Sequence, residues 1–170
     1  MVLELKVPHG DDFAALLKLW PVFLSYVLSF IYVAIYWNNH HHLLHAVHRV
    51  TGGILWANTH LLFWLSLIPF ATGWMGENHF ARLPVALYGV ALLMPALAYY
   101  VLQLVIIRVQ GENSTLARAL GRDFKGKASL LLYVAAIGLA FVHAAIACGI
   151  YFLVAMLWLV PDRRIERGID

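Results

Sequence analysis

Residues 83–107 read LPVALYGVALLMPALAYYVLQLVII, a run of sequence that contains no Asp, Glu, Lys or Arg. Three further stretches lack the same residues, at 19–48, 50–76 and 128–161. Roughly 20 consecutive apolar residues cross a bilayer core about 30 Å thick, so each stretch is long enough to span it. A surface helix of a soluble protein carries charge on its outer face. The pattern therefore predicts an all-α, polytopic membrane helical bundle.

The composition agrees with a lipid environment. Of the 170 residues, 62% are hydrophobic and 12% are charged, whereas about 25% of residues in a typical soluble domain are charged. One membrane domain over residues 1–170 accounts for this composition. The single cysteine excludes a disulfide within the chain, and the net charge of +3 does not predict a nucleic-acid partner.

The apolar stretches predict where the chain crosses the membrane. We expect three spans at 17–37, 53–74 and 83–107. As one helix, residues 128–160 would be about 50 Å long at 1.5 Å per residue, too long for a bilayer without strong tilt. Two short helices with a break near Phe141 to Ala147 are the alternative, and the distribution of Lys and Arg favours them, which makes five spans.

The cationic residues predict the orientation of these spans. Cytoplasmic ends of membrane spans carry an excess of Lys and Arg. If residues 128–160 form a hairpin, nine of the 12 cationic side chains lie on one side, on Arg49, the loop 108–127 and the tail 161–170. The other three, in residues 1–16 and at Lys18 and Arg82, lie outside. An outside N-terminus suggests that a first helix is missing from this chain. Residues 112–127 form either an amphipathic helix on the inner surface or a solvated loop.

Five histidines follow the first predicted span, at positions 40, 41, 42, 45 and 48. On a helix, His41, His45 and His48 would share one face, and imidazoles on one face can bind a metal ion. No carboxylate or cysteine lies beside them, so we favour a polar cap at the membrane interface and expect no metal and no cofactor. A haem site would need two facing histidines. His60 and His143 are candidates, although lone histidines in a membrane more often form hydrogen bonds to a neighbouring helix.

Asn58 and His60 lie near the inner end of the second span, on the same side as the histidine cluster. A polar network that joins the two spans is therefore expected, because polar groups inside a membrane are costly without partners. Such a network could serve transport or only hold the helices together. No motif of a hydrolase, zinc protease or phosphate-binding loop is present, so the chain is not expected to be an enzyme.

Four runs of the chain, at residues 2–8, 21–45, 54–70 and 157–166, resemble the prokaryotic members of the transmembrane protein 175 family of potassium channels. The most specific feature is a span that ends in Trp-x-x-His-His, followed by a span that opens with Trp-x-Asn. The resemblance implies six helices per repeat and four subunits around one pore in a prokaryotic inner membrane. Potassium would pass passively, without a cofactor.

The resemblance also implies site residues. Residues 1–7 match only the outer tail of the family's pore-lining first helix, so Leu3 and Glu4 would lie near the outer pore mouth. Trp37, His40, His41 and Asn58 match the polar network at the inner end. Because the pore signature and constriction have no counterpart in this sequence, we expect the 170-residue chain by itself not to conduct. The alternatives are a histidine-rich membrane protein that binds metal or haem, or a non-conducting structural subunit.

Overall fold

The computed structural model describes residues 17, 19–45, 47–111, 117 and 123–159, and these residues contain helices but no strand. The helices are α1 (Trp20–His45), α2 (Gly52–Glu77), α3 (Arg82–Gln110), α4 (Phe124–Ala140) and α5 (Ala144–Leu159). The prediction of an all-α bundle is therefore confirmed. The N-terminal residues 1–16, the tail 160–170 and half of the loop 108–127 lie outside the described residues.

The helices follow the charge-free stretches but extend past several predicted span ends. Helix α1 continues beyond Trp37 to His45, so that four of the five clustered histidines lie on its last turns. Helix α4 begins at Phe124, inside the segment that we predicted as a loop. The last apolar stretch forms two helices, α4 and α5, with the break at residues 141–143.

Local chemistry explains where some of these helices begin and end. The Asp123 side chain precedes α4 and accepts a hydrogen bond from the Gly126 backbone N–H at 2.9 Å, which satisfies one of the free donors of a helix N-terminus. Helix α3 ends at Gln110, and the next residue, Gly111, has a φ of 90°, in the left-handed region that glycine adopts without strain. Pro69 and Pro95 lie inside α2 and α3, and both helices continue past them.

The bundle is built from neighbouring antiparallel helices. Helix α2 packs mainly on α3, α3 also packs on α4, and α4 packs on α5, while α1 lies against α2 and touches α5. Fully buried aliphatic side chains fill the centre, among them Leu61, Ile68, Val85, Leu92, Leu102 and Ile106. Small buried residues on α3, α4 and α5, such as Ala98, Ala136, Ala140 and Ala147, let the helix backbones approach closely.

The outer surface of the bundle is apolar. Trp56 and Leu131 expose 77% and 73% of their surface. By length and composition, α2 and α3 are able to cross a membrane, and α5 is a shorter apolar helix. Water would not favour so much exposed apolar surface, whereas the hydrocarbon core of a membrane accommodates it.

Because consecutive helices run antiparallel, α1, α3 and α5 end, and α2 and α4 begin, at the same end of the bundle. We call it the histidine end. It carries the residues that we predicted from the sequence to form a polar network, together with several that we did not predict.

Candidate functional site

A short hydrogen bond joins α1 to α2 at the histidine end. The Nε2 atom of His40 lies 2.6 Å from the Oδ1 atom of Asn58, and only 6% of the His40 surface is exposed. An amide oxygen can only accept a hydrogen bond, so the Nε2 atom of His40 carries the hydrogen. The Nδ1 atom is then the acceptor in the neutral ring. The structure thus brings together two of the residues selected from the sequence.

Trp37 flanks this pair, whereas His41 does not join it. The Trp37 and His40 rings lie 6.1 Å apart at 35°, and Trp37 is 61% exposed. One residue further on, His41 is exposed and contacts the His45 ring instead, with centroids 4.5 Å apart. Of the four network residues, three therefore cluster and the fourth lies on a different face of α1.

Asn39 is a buried residue of this end that sequence reasoning missed. Its side-chain amide donates to the backbone oxygen of Ile35 at 2.8 Å and to that of Trp158 on α5 at 3.5 Å. Its own backbone oxygen accepts a hydrogen bond from the Tyr99 hydroxyl on α3 at 3.0 Å. Asn39 therefore links three helices. The adjacent His40 drew attention to this part of the sequence. The partners of Asn39, however, lie 60 and 119 residues away along the chain, so no local pattern indicates them.

Trp158 connects the end of α5 to the start of α4. Its indole N–H donates to the Ser129 hydroxyl at 2.8 Å, and that hydroxyl donates to the backbone oxygen of Lys125 at 2.8 Å. The Lys125 ammonium lies 4.5 Å from the centroid of the Trp158 ring, in cation–π geometry. These contacts fix the basic start of α4 against α5.

A cavity of about 50 Å³ lies beside these contacts, between α1, α3, α4 and α5. By volume it has room for roughly three or four water molecules. Its wall combines tyrosine and tryptophan rings with the amides of Asn39 and Gln103, both at least nine-tenths buried. The cavity is therefore apolar over most of its wall and polar at a few points.

Tyrosines form a second hydrogen-bonded group closer to the opposite end. The Tyr32 hydroxyl donates to the backbone oxygen of Tyr151 at 2.7 Å, and the Tyr151 hydroxyl donates to that of Val85 at 3.3 Å. The Tyr88 ring packs edge-on against both tyrosine rings. These contacts tie α1, α3 and α5 together.

The remaining sequence candidates are not brought together. His60 accepts a hydrogen bond at Nε2 from the Trp64 indole N–H at 2.9 Å, within α2. His143 lies in the turn between α4 and α5, at the end of the bundle opposite the histidine end. The two histidines do not face each other, so they do not form a haem pair. Leu3 and Glu4 lie outside the described residues.

The side chains that make the contacts described above at the histidine end are amides, hydroxyls, an imidazole and aromatic rings, together with the Lys125 ammonium and the Asp123 carboxylate. Such an arrangement can orient helices through hydrogen bonds. Within the described part of the chain, no group of three or more His, Cys, Asp or Glu residues is placed to hold a metal ion.

Comparison with known protein families gives a match over residues 1–69 to the family described as endosomal/lysosomal potassium channel TMEM175. A protein from Chryseobacterium sp. (strain P1-3) that is named a potassium channel is 56% identical over 169 residues, which cover 99% of this chain and 88% of that relative. A second one, from Streptomyces collinus, is 28% identical and covers 93% of this chain and 82% of its own length.

A solved structure has the same arrangement of helices. It is the crystal structure of a lysosomal potassium-selective channel TMEM175 homologue from Chamaesiphon minutus, with a TM-score of 0.72 and 25% sequence identity. The match covers 93% of this chain and 86% of that chain.

Proposed function

The chain belongs to the TMEM175 family of potassium channels, and on that premise we propose that it is a subunit of a membrane channel through which potassium ions pass passively. The observation that carries the proposal is the 56% identity, over 99% of the chain, to a protein named a potassium channel. At this identity and coverage, the helices and the residues between them correspond nearly throughout.

The chain is a membrane protein, and the proposed topology has five helices crossing the bilayer. The apolar surfaces of α2 and α3 support this arrangement. The histidine end faces the cytoplasm, where the excess of Lys and Arg is expected. The membrane is the inner membrane of a prokaryotic cell, an assignment supported by the bacterial relatives.

The proposed assembly is a homotetramer around one pore, as the family resemblance implies. The part of α1 near Trp20 carries exposed apolar side chains that a neighbouring subunit or lipid would cover, among them Phe23, Leu24, Phe30 and Ile31. In this assembly, Leu3 and Glu4 lie near the outer pore mouth. Native mass spectrometry of the purified protein tests the subunit number, and any number other than four contradicts this assembly.

The polar network at the histidine end is proposed to support the pore from the cytoplasmic side. The His40–Asn58 hydrogen bond fixes the end of α1 to the start of α2, and Trp37 flanks it. His41 completes the network in the family resemblance, although its ring contacts His45. A rigid contact at this position would hold the pore-facing elements in place while ions pass.

Potassium flux through liposomes tests the proposed function. The gene is expressed with its own upstream DNA, because the 170-residue chain by itself is expected not to conduct. The purified protein is reconstituted into potassium-loaded liposomes, which are then diluted into sodium buffer. With a protonophore present, potassium efflux drives proton uptake, which quenches a pH-sensitive dye. We expect quenching that protein-free liposomes do not show. A folded, reconstituted protein that releases no potassium would refute the proposal.

The role of the network needs a matched pair of variants. Asn58→Leu removes the acceptor for His40, whereas Thr59→Val changes the next, exposed residue, whose hydroxyl donates a hydrogen bond to the Leu55 backbone oxygen. We expect a lower flux per assembled channel for Asn58→Leu and an unchanged flux for Thr59→Val. Equal flux in both variants would mean that the network only holds the helices together and does not affect conduction.

A further inference from the structure

We propose that His41 and His45 form a binding site for one divalent transition-metal ion, such as Zn²⁺ or Cu²⁺, on the outer face of the last turns of α1. The site does not require the proposed function, because it depends only on the geometry of two side chains on one helix.

The two imidazoles are positioned as a chelating pair. Residues four apart on a helix are neighbours on its surface, and the ring centroids of His41 and His45 lie 4.5 Å apart with the ring planes at 72°. The same spacing of two histidines on a helix supplies two of the zinc ligands in the His-Glu-x-x-His motif. Here the separation is already set by the helix, so binding needs only rotation of the rings.

Both imidazoles are available to an ion. His41 and His45 are exposed, and neither makes a hydrogen bond with any residue that the structure describes, in contrast to His40, which pairs with Asn58. A metal ion could therefore approach from solvent without breaking a hydrogen bond between described residues.

The donor set selects the kind of ion. Imidazole nitrogen suits Zn²⁺, Ni²⁺ and Cu²⁺, with Cu²⁺ bound most tightly, whereas Mg²⁺ and Ca²⁺ require oxygen ligands. Because no third side-chain ligand is placed beside the pair in the described residues, water would fill the remaining coordination positions. The site is thus expected to be weaker than a structural zinc site with four protein ligands.

The other clustered histidines are not equivalent to this pair. His42 contacts the His41 ring at a longer centroid distance of 6.0 Å and is half-buried. His48 follows the end of α1, so the shared helical face that the sequence suggested for three histidines is reduced to two.

Calorimetric titration of the full chain in detergent, purified without a histidine tag, tests the site. We expect one Zn²⁺ or Cu²⁺ per chain and no heat from Mg²⁺. His41→Gln and His45→Gln should each weaken binding by about tenfold or more, since loss of even an outer hydrogen bond to a ligand costs roughly 10- to 100-fold. The control His48→Gln should leave the affinity unchanged.

The electron paramagnetic resonance spectrum of bound Cu²⁺ provides a second readout. Nitrogen hyperfine splitting from two imidazoles is expected in the unsubstituted chain, and from fewer in either variant. The proposal is overturned if no Zn²⁺ or Cu²⁺ binds, or if His48→Gln weakens binding as much as His41→Gln and His45→Gln do. Because the titration measures no conduction, its failure and failure of the potassium-flux assay are separate results.

Discussion

The Nε2 atom of His40 donates a hydrogen bond of 2.6 Å to the Oδ1 atom of Asn58, and this bond joins α1 to α2 at the histidine end of the bundle. The connection from α1 to α2 is short, covering residues 46–51. Since the two helices leave it in opposite directions, a side chain near the end of α1 meets one near the start of α2. The turn therefore brings both residues to the same end of the bundle, and the rotation of the packed helices allows their side chains to bond.

Loss of this acceptor should destabilise the protein. In Asn58→Leu the buried His40 N–H has no acceptor, and an unsatisfied buried donor costs about 1–3 kcal/mol. We expect a lower midpoint of chemical denaturation in detergent, while Thr59→Val, at an exposed position, should change it little. If the two variants denature alike, the His40–Asn58 bond contributes no net stability.

A methyl group at Gly89 should be poorly tolerated. A Cβ atom built there would lie 2.7 Å from Cγ1 of Ile137 and 2.8 Å from Cζ of Tyr151, both too close for van der Waals contact. Overpacking of this kind typically costs about 1–3 kcal/mol. Thermal denaturation of Gly89→Ala should show a loss of stability.

Gly149 offers the matched control for that substitution. Apart from the neighbouring residues and backbone of its own helix, no atom of the described residues lies within 4 Å of a Cβ at Gly149 in α5. Since glycine in a helix interior is less favourable than alanine by roughly 0.5–1 kcal/mol, Gly149→Ala should be neutral or stabilising. Equal destabilisation by both substitutions would show that Gly89 is not a close-packing site.

Trp158→Phe should loosen the contact between α4 and α5. The substitution removes the N–H that bonds Ser129 and weakens the stacking of Lys125. We expect a cost of about 1 kcal/mol, the typical net value of one hydrogen bond. Trp56→Phe is the control, since Trp56 is 77% exposed.

A double-mutant cycle separates the Trp158 hydrogen bond from other effects. If Trp158→Phe and Ser129→Ala act through the same bond, their combined loss of unfolding free energy should be smaller than the sum of the single losses. Additive losses would mean that the 2.8 Å contact carries no coupling energy.

Cysteine labelling should reveal the orientation in the membrane. In a Cys148→Ala background, which removes the one native cysteine, Phe80→Cys places a thiol in the turn between α2 and α3, and Val50→Cys places one between α1 and α2. Both positions are exposed. An impermeant maleimide added to intact cells should label Phe80→Cys alone, because the proposed topology, based on the distribution of Lys and Arg, places the histidine end in the cytoplasm. Labelling of Val50→Cys from outside would reverse the topology.

The sequence predicted the helical class well because lipid imposes a strong constraint. Every backbone polar group in a bilayer must be paired within a helix or a closed barrel, so long stretches without charge have few alternatives. The stretch 128–160 was predicted as two helices on length and charge, and the structure has α4 and α5 there. Helix ends were less predictable, since α1 continues through a polar, histidine-rich segment to His45.

The candidate site was only partly predictable. His40 and Asn58 were selected from the sequence and do pair, but His41 was selected with them and lies on another face. Asn39 and Trp158 were not selected, because a bond between residues 119 positions apart leaves no local pattern. A helix that crosses a membrane is apolar on nearly all of its faces, so the sequence does not indicate which face of α1 turns toward α2.

The sequence by itself determined that this is a helical membrane protein, because hydropathy acts residue by residue, and its charge-free stretches coincide with helices in the structure. Only the tertiary structure decided which polar groups meet. The contacts of His40 with Asn58, of Asn39 with Trp158 and of Gly89 with Tyr151 depend on the rotation and spacing of packed helices. Those are set by the shapes of many side chains together, and no single segment of the sequence records them.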